Sequence, residues 1–129
     1  MALKYKYSPR LNIVNARPYG EHSSLDVFNY FNELINSEEI KHGFISVVDF
    51  ENVDHFLFDT DEGGEIAQMH TELQAKKNIR ATVFIAKNDL NYGIARMMQI
   101  LHDLNDPAYD VFVVSNQEEA NNILKKIVR

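Results

Sequence analysis

Arg80-Ala-Thr-Val-Phe-Ile-Ala86 decides the fold. It is the clearest strand in the chain, rich in β-branched and aromatic residues, with no charge between Ala81 and Ala86. Lys87-Asn-Asp89 forms its exit loop. A helix from about Leu90 to Leu104 follows, with Ile94, Met97, Met98, Leu101 and Leu104 at helical spacing on the side expected to face the core. Asp106-Pro107 breaks that helix. Asp110-Val-Phe-Val-Val114 is the next strand. Ser115-Asn-Gln-Glu118 fits a capping box, and Ala120, Ile123, Leu124 and Ile127 are expected to face inward behind it.

The same alternation extends toward the N-terminus. Phe44-Ile-Ser-Val-Val-Asp-Phe50 is apolar on both faces until Asp49, as expected for a strand covered on both sides. His55-Phe-Leu-Phe58 is a second short apolar run. Asp59-Thr-Asp-Glu-Gly-Gly64 precedes a helix expected to turn Ile66, Met69 and Leu73 inward. Upstream, Leu11-Asn-Ile-Val-Asn-Ala16 reads as a short strand closed by Pro18 and Gly20, and residues 1–10 as a polar lead-in or edge strand. Ser23 or Ser24 caps a helix with Val27, Phe28, Phe31, Leu34 and Ile35 on one face, and Ser23 with Asp26 is a variant of the capping box. Strands alternating with helices predict a single α/β domain over residues 1–129, with a mixed, mostly parallel sheet of four or five strands and helices packed on it.

Composition narrows the function. The 129 residues are 45% apolar and 25% charged, ordinary for a globular domain. There is no cysteine, which excludes disulfides, thiolate catalysis and zinc–thiolate or iron–sulfur sites. No apolar run is long enough for a signal peptide or a membrane span, so a soluble cytoplasmic protein is expected. The net charge of −6 is unevenly placed. From His42 to Ala75 there are eight acids and no Lys or Arg, whereas the other 95 residues carry a net +2. That distribution argues against nucleic acid, which needs a basic face.

Ala81-x-Val83-x-Ile85-Ala86, Asp89 and Gly93-Ile-Ala-Arg-Met97, with Val111-Phe-Val-Val114 and Glu118-Glu-Ala120, resemble the SpoIIAA-like family of STAS-type domains, in its uncharacterised bacterial branch. The likeness covers roughly residues 11–129 and departs at Ile123-Leu124, where the family often has Trp-Leu. It implies a mixed sheet carrying helices, and a non-enzymatic module that binds a protein partner without a cofactor. In the anti-sigma-factor antagonists of this group, a strand ends in an Asp-Ser-Ser-Gly loop whose Ser a kinase phosphorylates. The nearest match here is Asp59-Thr-Asp-Glu-Gly63. Aligned on Asp59, the phosphorylated position is Asp61 and the unmodified one is Thr60; shifted by one, Thr60 itself accepts phosphate.

Each candidate has a plain structural reading beside the functional one. Asp59, Thr60, Asp61, Glu62 and Glu65 form either a partner face or a solvated, helix-capping loop. An EF-hand is rejected, because Gly63 and His70 stand where calcium ligands are required. His55 and His70 lie in the acidic stretch without metal-ligand spacing, so no metal is expected. Asp89, Gly93 and Arg96 are ligand or anion contacts on the strand C-terminal rim, together with Asp49, Asn88, Ser115 and Asn116, or else caps, a packing glycine and a surface base. No nucleophile elbow, phosphate loop or dinucleotide fingerprint occurs. Two functional readings therefore stand: a partner-binding module using residues 54–66 and the adjoining helix, or a small-ligand binder or enzyme, with nucleotide or lipid as ligand, near 87–96. A closed apolar pocket beneath the 90–104 helix favours the second, and a filled core with an exposed acidic ridge the first. A homodimer contact through Phe56-Leu-Phe58 is a third reading.

Overall fold

The computed structural model describes residues 3–57, 60–105 and 109–128. In chain order the elements are β1 (Leu3–Ser8), β2 (Ile13–Ser23), α1 (Ser24–Asn36), β3 (Ile45–Asp49), β4 (Asn52–Leu57), α2 (Thr60–Lys77), β5 (Ala81–Ile85), α3 (Asp89–Asn105), β6 (Asp110–Val114) and α4 (Gln117–Ile127). The sheet runs β1-β2-β3-β5-β6, with β4 pairing β2, so it has six strands where four or five are expected. The lead-in is the edge strand β1, and the strand beyond expectation is β4, in the acidic stretch. β1 pairs β2 antiparallel, and the other pairings are parallel.

β2 is longer than its sequence suggests. Pro18 and Gly20 do not end it. Pro18 sits opposite Leu3 in the β1 pairing, and Gly20 takes a left-handed φ of 63° where the β2–β4 register slips. The slip lets one strand pair with β3 over residues 13–16 and with β4 over residues 19–23.

Alternation along the central strands separates two cores. Ile13, Ile45, Val47, Ala81, Val83, Ile85 and Val114 pack toward Ala120 of α4. Val14, Val48 and Val111 turn the other way, toward Tyr30 and Leu34 of α1, Leu73 of α2 and Ala95 of α3. One sheet face thus carries three helices and the other carries α4. On β1, Leu3, Tyr5 and Tyr7 join the larger core, while Lys4 and Lys6 are exposed.

Caps set the helix boundaries. The Ser23–Asp26 capping box is complete, and Asn88 Oδ1 accepts from Asn91 N at 2.8 Å to open α3. The last helix is capped one residue later than its pattern suggests. Asn116, not Ser115, accepts from Glu119 N at 2.9 Å, while Ser115 N donates to Glu119 Oε2. α2 ends at Asn78, which is left-handed with φ 53°, a conformation Asn tolerates. Just before it, the buried Lys77 ammonium donates to Ser37 O at 2.6 Å and Ile40 O at 2.8 Å. It binds the end of α2 to the loop that leaves α1.

α3 presents a different side from the one expected. Asn91, Ala95 and His102 are buried, whereas Met97 is 37% and Leu104 77% exposed. Polar side chains with fixed backbone partners set the rotation. Asn91 Nδ2 donates to Phe50 O at 3.1 Å, Gln99 Nε2 to Val111 O at 2.7 Å, and His102 Nε2 lies 3.0 Å from Tyr109 O. Each of these bonds ties a polar side chain of α3 to the backbone of a neighbouring segment and so fixes which side of the helix faces inward.

Lys77→Met keeps the aliphatic stem and removes both donors, and should cost about 2–3 kcal/mol in urea unfolding. A loss below about 0.5 kcal/mol would show the ammonium to be dispensable. By the same measurement Asn116→Ala should cost about 1 kcal/mol and Ser115→Ala clearly less.

Candidate functional site

The acidic stretch, His42 to Ala75, folds into β3, β4 and most of α2. Asp54, Asp61, Glu65 and Glu72 are exposed, and α2 opens at Thr60, so Asp61 and Glu62 stand in its first turn, where the helix amides favour negative charge. Glu62 is not part of the free surface. It is half-buried, and its Oε2 accepts a 2.5 Å hydrogen bond from Ser24 Oγ, tying the start of α2 to the start of α1. Asp59 and Phe58 lie outside the described residues. Of the apolar run proposed for a homodimer, Phe56 instead packs edge-on against Phe50 at 5.3 Å, and Leu57 is exposed.

The rim residues do not assemble into a site. Asp49 is buried and accepts from Glu51 N at 3.0 Å, and Asn88 and Asn116 are spent as caps. Asp89 is exposed. Arg96 is exposed and donates to Gln99 Oε1. Gly93 is exposed, with open space where a Cβ would stand, so close packing within the chain does not account for it. His55 is exposed on β4. His70 sits among aromatic rings, stacked on Phe31 at 5.3 Å and edge-on to His102 at 5.7 Å, with its Nε2 2.6 Å from Tyr109 Oη. Among the described residues, no group of three side chains is placed to hold a metal.

What the sequence does not reveal is a cavity of about 100 Å³ between the sheet and α1, α2 and α3. Phe44, Val48, Leu73 and Met98 make much of its wall apolar, while His22, His70 and His102 also line it. Thr71 of α2 and Met97 of α3 are the exposed members of the lining, so the mouth opens between those helices. Gly63 and Ile66, from the acidic end of α2, also line it.

Hydroxyls gather on the sheet side of this cavity. Ser46 and Thr82 are register partners on β3 and β5, so they sit side by side, with Tyr30 of α1 close to Ser46. Tyr30 and Thr82 are 4% and 3% exposed; the Tyr30 hydroxyl is hydrogen-bonded to Ser46, whereas Thr82 Oγ1 completes no hydrogen bond among the described residues. Burial pushes the Tyr30 hydroxyl well above its ordinary pKa of 10.0, although the nearby Ser46 eases the rise. Tyr30 lies at helical spacing between Val27 and Leu34, and that spacing is the one signal in the sequence that places it inside.

No family model matches the chain, and neither does any curated protein. Solved structures do. An uncharacterized DUF3478-family protein with a SpoIIAA-like fold from Shewanella loihica PV-4 superposes with a TM-score of 0.57 at 12% identity, over 95% of this chain and 92% of its own. The anti-sigma factor antagonist SpoIIAA, in its unphosphorylated form, gives a TM-score of 0.57 at 12% identity, over 98% of this chain and 100% of its own. At that identity the likeness establishes the fold, which is SpoIIAA-like: a mixed α/β domain with a mostly parallel sheet. No helix among the described residues is long and apolar enough to cross a membrane.

Gly93→Ala should raise stability by about 0.5–1 kcal/mol in urea unfolding, since the helix gains propensity without a clash. A loss would reveal a contact made by the glycine backbone. The raised Tyr30 pKa gives a signed pH effect. Below the unfolded pKa of 10.0 both states hold the proton and stability is unaffected. Above it the unfolded chain releases the proton while the folded state keeps it, so stability falls as pH rises. Unfolding measured from about pH 8 to about pH 11 should show a shallower fall for Tyr30→Phe than for the parent.

Proposed function

We propose that this chain, which has the SpoIIAA-like fold, is a non-enzymatic regulatory domain that acts by contact with a protein partner across residues 54–66 and the outer face of α2. One observation carries the reading: Asp54, Asp61, Glu65 and Glu72 stand exposed in a stretch that holds no Lys or Arg from His42 to Ala75. A one-signed face steers a basic partner and rejects acidic ones. A matching fold that belongs to an anti-sigma factor antagonist supports a role in regulation. In this reading Asp61, in the first turn of α2, supplies a permanent negative charge where the antagonists carry a removable phosphate. A cytoplasmic setting belongs to the same proposal.

A second reading has its own observation. The cavity between the sheet and α1–α3, largely apolar and open between α2 and α3, is the kind of space that a small-ligand binder needs. It moves that reading away from the rim at 87–96, where Asp89, Gly93 and Arg96 are exposed and do not converge.

The first reading is tested by reversing exposed charge without disturbing packing. Asp61→Lys with Glu65→Lys is suitable, since Glu62 is engaged with Ser24. The parent, this double variant and an Asp103→Lys control on α3 are each used to capture proteins from the source organism, with identification by mass spectrometry. A partner held by the parent and the control should be lost by the double variant and weakened by added salt. Identical captures for all three would sink the reading.

A further inference from the structure

The outer side of α3 carries an apolar stripe that the chain leaves uncovered. Leu90, Gly93, Met97, Ile100 and Leu104 follow one another at intervals of three, four, three and four residues, the spacing of a seam between two helices. All five are exposed, Leu90 by 62%, Ile100 by 53% and Leu104 by 77%. They lie on the side of the helix opposite Asn91, Ala95 and His102, which are buried. Single apolar side chains on a surface need no explanation, but four aligned along one helix face do. Gly93 falls within the stripe. In a helix it costs up to about 1 kcal/mol relative to Ala. Open space stands where its Cβ would be, so the chain itself gains nothing from the glycine, whereas a helix packed on the stripe gains a notch.

The stripe is complementary to itself when a second copy runs antiparallel. Setting Met97 against Ile100 of the second copy also places Leu104, the most exposed side chain of the stripe, over the notch at Gly93 of the second copy, and a two-fold axis repeats each contact. The same register brings Arg96 beside Asp103 of the second copy, and Asp103 beside its Arg96. Both residues flank the stripe on one side, both are exposed, and neither has an ion-pair partner among the described residues. Parallel pairing offers no such match: Gly93 would face Gly93 across a gap, and Arg96 would stay about two turns from Asp103. We infer that two copies of this chain associate through α3, antiparallel, with Leu104 of each seated at Gly93 of the other and Arg96 paired with Asp103 across the contact. The seam is one helix long, so the interface belongs with small, reversible ones. It uses neither the acidic face of α2 nor a ligand in the cavity, and stands independently of both functional readings.

Sedimentation equilibrium of the intact chain tests this. The average mass of the parent should rise from one chain toward two between about 10 µM and about 1 mM, the range of weak, transient contacts. Leu104→Glu, at a position the chain leaves open to solvent, should weaken association at least about tenfold without lowering the melting temperature. Arg96→Asp sets like charges together twice in each dimer and should weaken association about tenfold; adding Asp103→Arg should restore it to within about threefold of the parent. Only the antiparallel register gives that rescue, because within one chain the two side chains stand about two turns apart. A parent that stays monomeric at about 1 mM overturns the inference, as does a dimer indifferent to Leu104→Glu. A dimer that ignores Arg96→Asp, or that the second charge change does not restore, overturns it as well. Should a charge variant fail to fold, Leu104→Glu decides.

Discussion

The parallel pairing of β3 with β5 is the constraint on which the other features depend. Its register, Ile45 with Ala81 through Asp49 with Ile85, aligns two strands that are buried on both faces. A shift of one residue would send every side chain to the opposite face. In the observed register Val47 and Val83 go together under α4, while Ser46 and Thr82 go together under the three-helix layer. The cavity's polar corner is therefore a product of strand register and needs no loop to build it. Tyr30 completes it from above because α1 places Val27, Tyr30 and Leu34 on one buried stripe.

The α/β order is legible in the residues because the strands around Val47, Val83 and Val113 are short apolar runs bounded by caps and breakers. Local chemistry also announces the Ser23–Asp26 box and the start of the acidic helix. What is not legible depends on partners distant in sequence. Apolar periodicity on α3 points to Met97 and Leu104, but Asn91, Gln99 and His102 bond to Phe50, Val111 and Tyr109, and those bonds turn the helix. Pro18 and Gly20 look like stops, yet β2 continues past them because one lies opposite the first residue of β1 and the other absorbs a register slip. The acidic surface is visible as a run of letters, though Glu62 leaves it for Ser24. The cavity is invisible, since a void arises from how three helices and a sheet fail to fill space, and no single segment encodes that.

α2 belongs to both functional readings. Its outward side carries Asp61, Glu65 and Glu72, and its inward side brings Gly63, Ile66 and Leu73 to the cavity. Its two ends are held differently, by Glu62 on Ser24 at the start and by Lys77 on Ser37 and Ile40 at the finish. An occupant of the cavity and a partner on the surface would thus press on opposite sides of one helix anchored at both ends. Energetic coupling between the two requires only that the helix settle differently when one of them is present.

β1 has a consequence for how the molecules behave in a crowd. As an edge strand it offers unpaired backbone donors and acceptors along its outer side, the feature through which sheets of separate molecules join. Its exposed residues include Lys4 and Lys6, with Arg17 opposite Lys4 on the neighbouring strand and the Lys4 ammonium 5.7 Å from the centre of the Tyr19 ring. A second copy approaching to extend the sheet meets its own positive charge. The charges on β1 thereby oppose edge-to-edge pairing through that side of the sheet.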